Sequence, residues 1–361
     1  MSILYLGISS ILLKIKNKMI KVGNRIIGKG KKPLIIAEIG INHFGSLKLA
    51  KKIVDCAYQS GAEAVKAQIH IPDEEMSLEA KKIKPGNSNL SIYEVIKKNS
   101  LTLKDEKSLK DYIEKKKLIY IATPFSFAAA KWLNDNGTKI FKIGSGECNN
   151  LPLVKYISSF KKPIICSTGM NDLKNVSKTV KIFEKYNIKY ALLHCVNLYP
   201  TPYKFIRMKR LLDIIRLFKK AVVGYSDHSI GTNMSIAAMS LGASIIEKHF
   251  VINKKKKGPD VICSMDKDEL KILLKASNEI FDAFKKYNPI LKSENVTRRF
   301  AFHSVVSKNE IKAGSKLSMK NLTTKRPATG DFHANSIYSL IGKKTLRDIG
   351  SNSQIKKKDI F

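Results

Sequence analysis

The feature that most constrains the fold of this chain is a short apolar run followed by a longer segment of helical period, repeated eight times. The runs are rich in Ile, Val, Ala and Tyr and fall at 34–39, 64–69, 118–122, 140–143, 163–166, 190–195, 221–224 and 244–250. Segments between them, at 47–60, 127–136, 174–186, 204–218 and 233–241, carry apolar residues three and four apart, and several end on a lone glycine such as Gly61, Gly137 or Gly242. Strand then helix, eight times over about 250 residues, predicts an α/β fold of the (β/α)8 TIM-barrel type. A doubly wound sheet also alternates strands and helices. Against it, no G-x-G-x-x-G follows the first strand, and polar residues sit at the C-terminal ends of nearly all eight runs, which a barrel gathers around one mouth.

Those polar residues are Glu38, Lys66 with Gln68, Thr123, Lys142 with Ser145 and Glu147, Ser167, Asn197 with Tyr199, Ser226 with Asp227 and His228, and Glu247 with His249. Any one of them reads equally well as a satisfied strand end. Lys66 and Lys142 lie inside otherwise apolar strands, and a buried ammonium is costly unless it meets an anion. Two such lysines imply either internal pairs with carboxylates or an anionic ligand, and the hydroxyls of Thr123, Ser145 and Ser226 with the Asn197 amide complete a cradle for phosphate or carboxylate oxygens. His228 and His249 close adjacent strands beside Glu38 and Glu247. With no thiolate motif, that set suits a divalent metal that keeps waters, such as Mn2+ or Mg2+, although a lone histidine is more often structural.

Composition adds bounds. The 361 residues suit one large domain plus a smaller one. The balance of 66 Lys and Arg against 30 Asp and Glu gives +36, a field that favours nucleic acid, an acidic membrane or a phosphorylated metabolite alike. Its lysines are spread in short runs without aromatic interleaving, so we expect a solvated surface and neither a nucleic-acid nor a membrane partner. Five cysteines, Cys56, Cys148, Cys166, Cys195 and Cys263, form no C-x-x-C pair and read as reduced thiols of a cytoplasmic protein. The apolar stretch 3–13 is too short to span a bilayer, which takes about 20 residues, and it lacks a basic segment ahead of it. Met19 offers an alternative start. The expected layout is an upstream extension at 1–18, a barrel at 19–288, a linker at 289–298 and a small mostly irregular unit at 299–361.

The stretches IIAEIGINHFGS (35–46), AEAVKAQIH (62–70), ATPFS (122–126), FKIGSGECNNLPL (141–153), STGM (167–170), LLHCVNLYPTPY (192–203), GYSDHSIG (224–231), EKHF (247–250) and GPD (258–260) resemble, in order, the bacterial N-acetylneuraminate (sialic acid) synthase family. RRFAFHSVV and the segments that follow it resemble the family's C-terminal antifreeze-like (SAF) domain. The resemblance implies a metal-dependent condensation of phosphoenolpyruvate with the open-chain aldehyde of N-acetylmannosamine, releasing phosphate. It places phosphoenolpyruvate against Lys66, Thr123, Lys142, Ser145, Asn197, Tyr199 and Ser226, with Ser167 and Glu247 in the same mouth. Mn2+ falls to His228 and His249, with Mg2+ or Co2+ as substitutes. Glu38 and Glu147 then face the acceptor and water, one of them moving the proton, with Gln68 and Asp260 lining the pocket. The resemblance also implies a domain-swapped homodimer in which Arg326, with Thr297 and Phe300, reaches the partner's acceptor. Val196, Ile69 and Ala328 depart from the family pattern. They leave open a relative's acceptor, a 2,4-diacetamido sugar that gives legionaminic acid. A non-catalytic anion- or carbohydrate-binding protein is the reading from another class.

Overall fold

The structure, a computed structural model, describes residues 19–85, 89–256, 258–285 and 290–360, so the upstream extension expected at 1–18 lies outside the described residues. Eight parallel strands, β3 (Leu34–Glu38), β4 (Ala64–Ile69), β5 (Ile119–Pro124), β6 (Phe141–Ile143), β7 (Ile164–Ser167), β8 (Tyr190–Cys195), β9 (Val222–Asp227) and β10 (Ile245–His249), close into a barrel in which β10 pairs with β3. The expected (β/α)8 barrel is therefore the fold, and the doubly wound alternative is excluded.

Side-chain alternation sorts each strand between lumen and helix layer. Leu34 and Ile36, Ala64, Ile121, Ile140, Ile165, Ala191 and Leu193, Val222 and Ile245 pack with one another inside the barrel. The intervening residues, among them Ile35, Val65, Tyr120, Phe141, Cys166 and Leu192, pack outward under the helices. Those helices start where a hydroxyl or carboxylate can cap them: Ser46 accepts from the Leu49 N–H ahead of helix Leu47–Gln59, and Asp172 from the Asn175 N–H ahead of Leu173–Lys185.

Three details depart from the sequence reading. First, an antiparallel hairpin of β1 (Met19–Val22) and β2 (Arg25–Gly28) precedes the barrel, and its Ile20, Val22 and Ile27 join the lumen core, closing the N-terminal end. Second, the single helix expected at 204–218 is a 3-10 turn, Tyr203–Phe205, followed by Met208–Leu217, because Arg207 between them is left-handed at φ 56°. Third, Asp227 does not face the mouth. It points into the outer layer and pairs with the buried Lys248 at 3.2 Å while accepting from Ser235 Oγ at 2.6 Å.

The described residues 290–360 form a second compact unit, separate from the barrel. Within it, β11 (Ser304–Ser307) and β12 (Leu322–Lys325) pair antiparallel, and Val305, Ile311, Leu317, Leu322, Ile337, Leu340, Ile349 and Ile355 form its core. In the segment expected as a linker at 289–298, the described residues hold a 3-10 turn, Lys292–Glu294, and the start of helix Asn295–Ala301.

Candidate active site

The period of two that fills the lumen with Ile and Leu continues to the C-terminal strand ends, where the inward positions turn polar. Glu38 follows Ile36, Lys66 follows Ala64, Thr123 follows Ile121, Lys142 follows Ile140, Ser167 follows Ile165 and Glu247 follows Ile245, all of them buried. Parallel register sets Glu38 beside Lys66 on one side and His249 on the other, Gln68 beside Thr123, and Glu247 beside Ser226. A cavity of about 200 Å³ opens over this layer. Its wall includes Glu38, Lys66, Gln68, Thr123, Lys142, Ser145, Glu147, Ser167, Asn197, Tyr199, Ser226, His228, Glu247 and His249, so the predicted barrel residues converge on one mouth. Asp260 stands behind His249, its Oδ2 3.7 Å from Nδ1. Thr297, Phe300 and Arg326 belong to the C-terminal unit and are exposed on it.

The ionic layer is continuous. Lys66 Nζ lies 2.6 Å from Glu38 Oε2 and 3.8 Å from Glu247 Oε1, and it donates to Thr123 Oγ1 at 3.2 Å. Lys142 Nζ lies 3.7 Å from Glu247 Oε1 and donates to Ser167 Oγ at 2.8 Å and the Ile143 carbonyl at 3.1 Å. Ser226 Oγ donates to Glu247 Oε1 at 3.2 Å. Burial pushes Glu38 up to about 7, only partly opposed by Lys66. Burial opposes charge on Lys66 too, but Glu247 and Glu38 more than offset it and hold the ammonium above its ordinary range. Burial likewise works against ionised Glu247, yet Lys142 and Lys66 carry it below the usual carboxylate value. Glu147 is raised by burial. The mouth thus holds one carboxyl shifted toward ionisation, Glu247, and two shifted toward the protonated form, Glu38 and Glu147, with two buried lysines between them.

Further polar atoms lack a hydrogen bond. Glu38 Oε1, Glu247 Oε2 and His249 Nδ1 are buried without a hydrogen bond, an arrangement that costs free energy unless something occupies the mouth. The two imidazoles stand 5.6 Å apart by ring centroid, and Tyr199 stacks on His228 at 4.1 Å. His228 Nδ1 donates to the Val196 carbonyl at 2.8 Å, and burial lowers His249. Two imidazoles beside a carboxylate oxygen without a hydrogen bond fit a divalent cation that retains waters. Among the described residues no three His, Cys, Asp or Glu side chains are grouped to hold such an ion by themselves.

Loop backbone completes the mouth. The Gly169 N–H donates to Ser145 Oγ at 3.1 Å, and a Cβ on Gly169 would collide with Asn197 Oδ1, so only glycine lets these two polar side chains approach. Sequence reasoning missed Cys195 and Phe125, which also line the cavity, and His70, which stacks on Phe125 at 4.2 Å and lies 3.2 Å from Gln68 Oε1 by Nε2. Cys195 was within reach, since alternation from Leu193 and Ala191 points it inward. Phe125 and His70 sit beyond the strands, where period two no longer applies.

A closed α/β barrel with a charged, partly unsatisfied C-terminal mouth is the scaffold of a barrel enzyme. The NeuB family model matches residues 53–288, and the SAF domain model matches 302–360. The chain belongs to the NeuB family of sugar-acid synthases and carries a C-terminal SAF domain. It is 40% identical over 338 residues to the N,N'-diacetyllegionaminic acid synthase of Campylobacter jejuni, covering 91% of this chain and all of that one. A protein of the same name from Legionella pneumophila is 31% identical, covering 89% of this chain and 92% of its own length. Among solved structures, the N-acetylneuraminic acid (sialic acid) synthetase of Leptospira borgpetersenii in complex with citrate superposes with a TM-score of 0.71 at 28% identity, covering 78% of this chain and 95% of that one.

Proposed function

We propose that the chain joins phosphoenolpyruvate to the aldehyde of an N-acetylated amino sugar, with one water, to give a nine-carbon 2-keto acid and inorganic phosphate. The observation that carries this reading is the buried pair Lys66 and Lys142, set in one layer with Glu38 and Glu247 whose outer oxygens lack partners. Two cations at the floor of a 200 Å³ cavity suit a small anion with both carboxylate and phosphate oxygens. Thr123, Ser145, Ser167, Ser226 and Asn197 supply the remaining donors.

In this reading the enol carbon of phosphoenolpyruvate forms the new bond to the aldehyde carbon, water adds to the cationic carbon left behind, and phosphate departs by cleavage of its bond to that carbon. Glu38, pushed up to about 7, can take the proton of the attacking water or return one to the new alcohol, and Glu147 in the same cavity is the second candidate. Lys66 holds the developing charge next to it. A divalent metal, Mn2+ foremost, would be held by His228 and His249 and would supply Lewis acidity toward the aldehyde oxygen. The acceptor expected from the sequence was N-acetylmannosamine. The names of the Campylobacter and Legionella relatives favour a 2,4-diacetamido sugar instead. The domain-swapped homodimer belongs to the same proposal and rests on the resemblance alone.

The test is phosphate release from phosphoenolpyruvate with each acceptor, with Mn2+ and with chelator. Metal-dependent release supports the synthase. Binding of phosphoenolpyruvate without release, whatever the acceptor, would replace it with a binding protein. Mixing Lys66→Ala and Arg326→Ala chains should restore turnover if partners exchange C-terminal units, and no restoration would sink the swapped dimer.

A further inference from the structure

One buried constellation stands just outside the mouth. His70 is not part of the cavity wall, yet its neighbours Gln68 and Phe125 are. Three contacts hold its ring: Nδ1 lies 2.9 and 3.1 Å from the two oxygens of Glu75, Nε2 lies 3.2 Å from Gln68 Oε1, and the ring stacks on Phe125 at 4.2 Å with 10° between the planes. We infer that His70 is a positioning residue, which with Glu75 forms a buried dyad that orients the Gln68 carboxamide toward the acceptor substrate. The inference rests on the synthase reading and deepens it.

The chain builds the dyad locally, between residues 70 and 75. His70 follows β4 directly, and Pro72 opens a single helical turn, Pro72–Glu75, whose last residue folds back onto the ring. Tyr93, on helix Ile92–Asn99, donates its hydroxyl to Asp73 Oδ1 at 2.7 Å and pins that turn. The side chains of His70 and Glu75 are 5% and 7% exposed, so each has left water and depends on the other for a polar partner.

Gln68 needs such an anchor. The last torsion of a glutamine side chain is broad and roughly two-fold, so a free carboxamide offers a ligand either its oxygen or its N–H2 group. With Oε1 set against His70, the N–H2 end is left for the cavity, and among the described residues it makes no hydrogen bond. Gln68 stands two residues beyond Lys66 along β4, about 7 Å nearer the open end. Lys66 and Lys142 below it suit the anion, so Gln68 meets an oxygen of the co-substrate that enters above. The dyad also flanks Glu147. Burial is the main cause that raises that carboxyl, Glu75 adds a smaller rise and His70 opposes it. His70 therefore has a rival route to turnover, through Glu147, and the two routes differ in what they change: the first alters acceptor binding and the second alters proton transfer.

The experiment measures kcat and both KM values for phosphate release in the full chain with Mn2+, using phosphoenolpyruvate and whichever N-acetylated acceptor the native chain turns over. His70→Phe keeps the stack on Phe125 and removes both nitrogens, and Gln68→Leu removes the carboxamide. Each should raise KM for the acceptor about 10-fold, the worth of one buried hydrogen bond, and leave KM for phosphoenolpyruvate within about twofold. The double variant should lose no more than either single one, because both cut the same contact. Glu75→Gln can still hold the ring, so its acceptor KM should fall between those of the native chain and His70→Phe, and it keeps the test open should His70→Phe fail to fold. Losses that multiply in the double variant, a fall in kcat with acceptor KM unmoved, or a rise in both KM values alike would overturn the route through Gln68 and leave the synthase standing. No phosphate release in the native chain would overturn the synthase reading and the role of His70 with it.

Discussion

The two ends of the barrel lumen are built by the same strands under the same alternation, and they differ in everything else. At the N-terminal end the hairpin residues Ile20, Val22 and Ile27 press onto Leu34, Ile36, Ala64 and Ile245, and none of these exposes more than 6% of its surface. At the C-terminal end the next inward positions are Glu38, Lys66, Lys142 and Glu247, nearly as buried but ionic and partly unsatisfied. Burial alone therefore does not mark a core. The apolar end gains free energy by excluding water, whereas the charged end holds desolvated groups that only a ligand can complete.

The largest expected effect tests whether the charged end is chemistry and not mere pairing. Lys142→Met keeps the bulk of the side chain and removes the cation 3.7 Å from Glu247. Turnover measured by phosphate release should fall by about 10²- to 10³-fold, the loss seen when one preorganised donor is removed from a reacting centre. Unchanged turnover in a folded variant would erase the distinction between the ends. The opposite end should answer in the opposite currency. Ile27→Ala, in a fully buried position, should cost about 2–5 kcal/mol of stability in denaturant unfolding and leave kcat of the folded fraction within about twofold.

A third test moves to the helix layer, where a buried carboxyl has no cation like those at the mouth. Glu106 is 3% exposed, its Oε2 lacks a partner, as does the nearby Tyr120 hydroxyl, and burial pushes it up to about 8. Because the folded value exceeds the ordinary 4.5, the native chain holds this proton across a window in which the unfolded chain has released it. Stability must then fall as pH rises from about 4.5 toward 8, by about 1.4 kcal/mol for each pH unit at most. Glu106→Gln should flatten that slope in unfolding curves at pH 5, 6.5 and 8. A slope that persists in the variant would show that another group carries it.

Legibility from sequence follows the same physics. The eight strands and the lumen-facing residues could be read because period two persists along each strand and the polar switch falls at corresponding positions, as in Ile36 to Glu38 and Ile140 to Lys142. The hairpin could not, since strands of four residues carry too few alternations to rise above noise, although Gly23-Asn24 between Val22 and Arg25 is a turn signal. Asp227 was misplaced for a related reason: its neighbour Ser226 takes the inward slot, and consecutive strand residues cannot share a face. Phe44 lies in a loop, where contacts such as that of Gly258 with its ring depend on packing between segments more than 200 residues apart in sequence.

The smallest effect sharpens what a lysine means in a chain of +36. Lys275 is paired with Glu279 one helical turn away at 3.7 Å, but the two side chains are 77% and 65% exposed. Water solvates both charges in the folded and unfolded states alike, and holding two long side chains together costs rotamer entropy, so the pair contributes little. Lys275→Gln should change stability by less than about 0.5 kcal/mol and leave turnover unaltered, in unfolding and phosphate-release assays run beside Lys142→Met. The same residue type thus spans both extremes, and what separates them is the dielectric around the ammonium and not the count of positive charges. A large effect at Lys275 would show that the overall field, more than the local geometry of the mouth, governs how this protein handles anions.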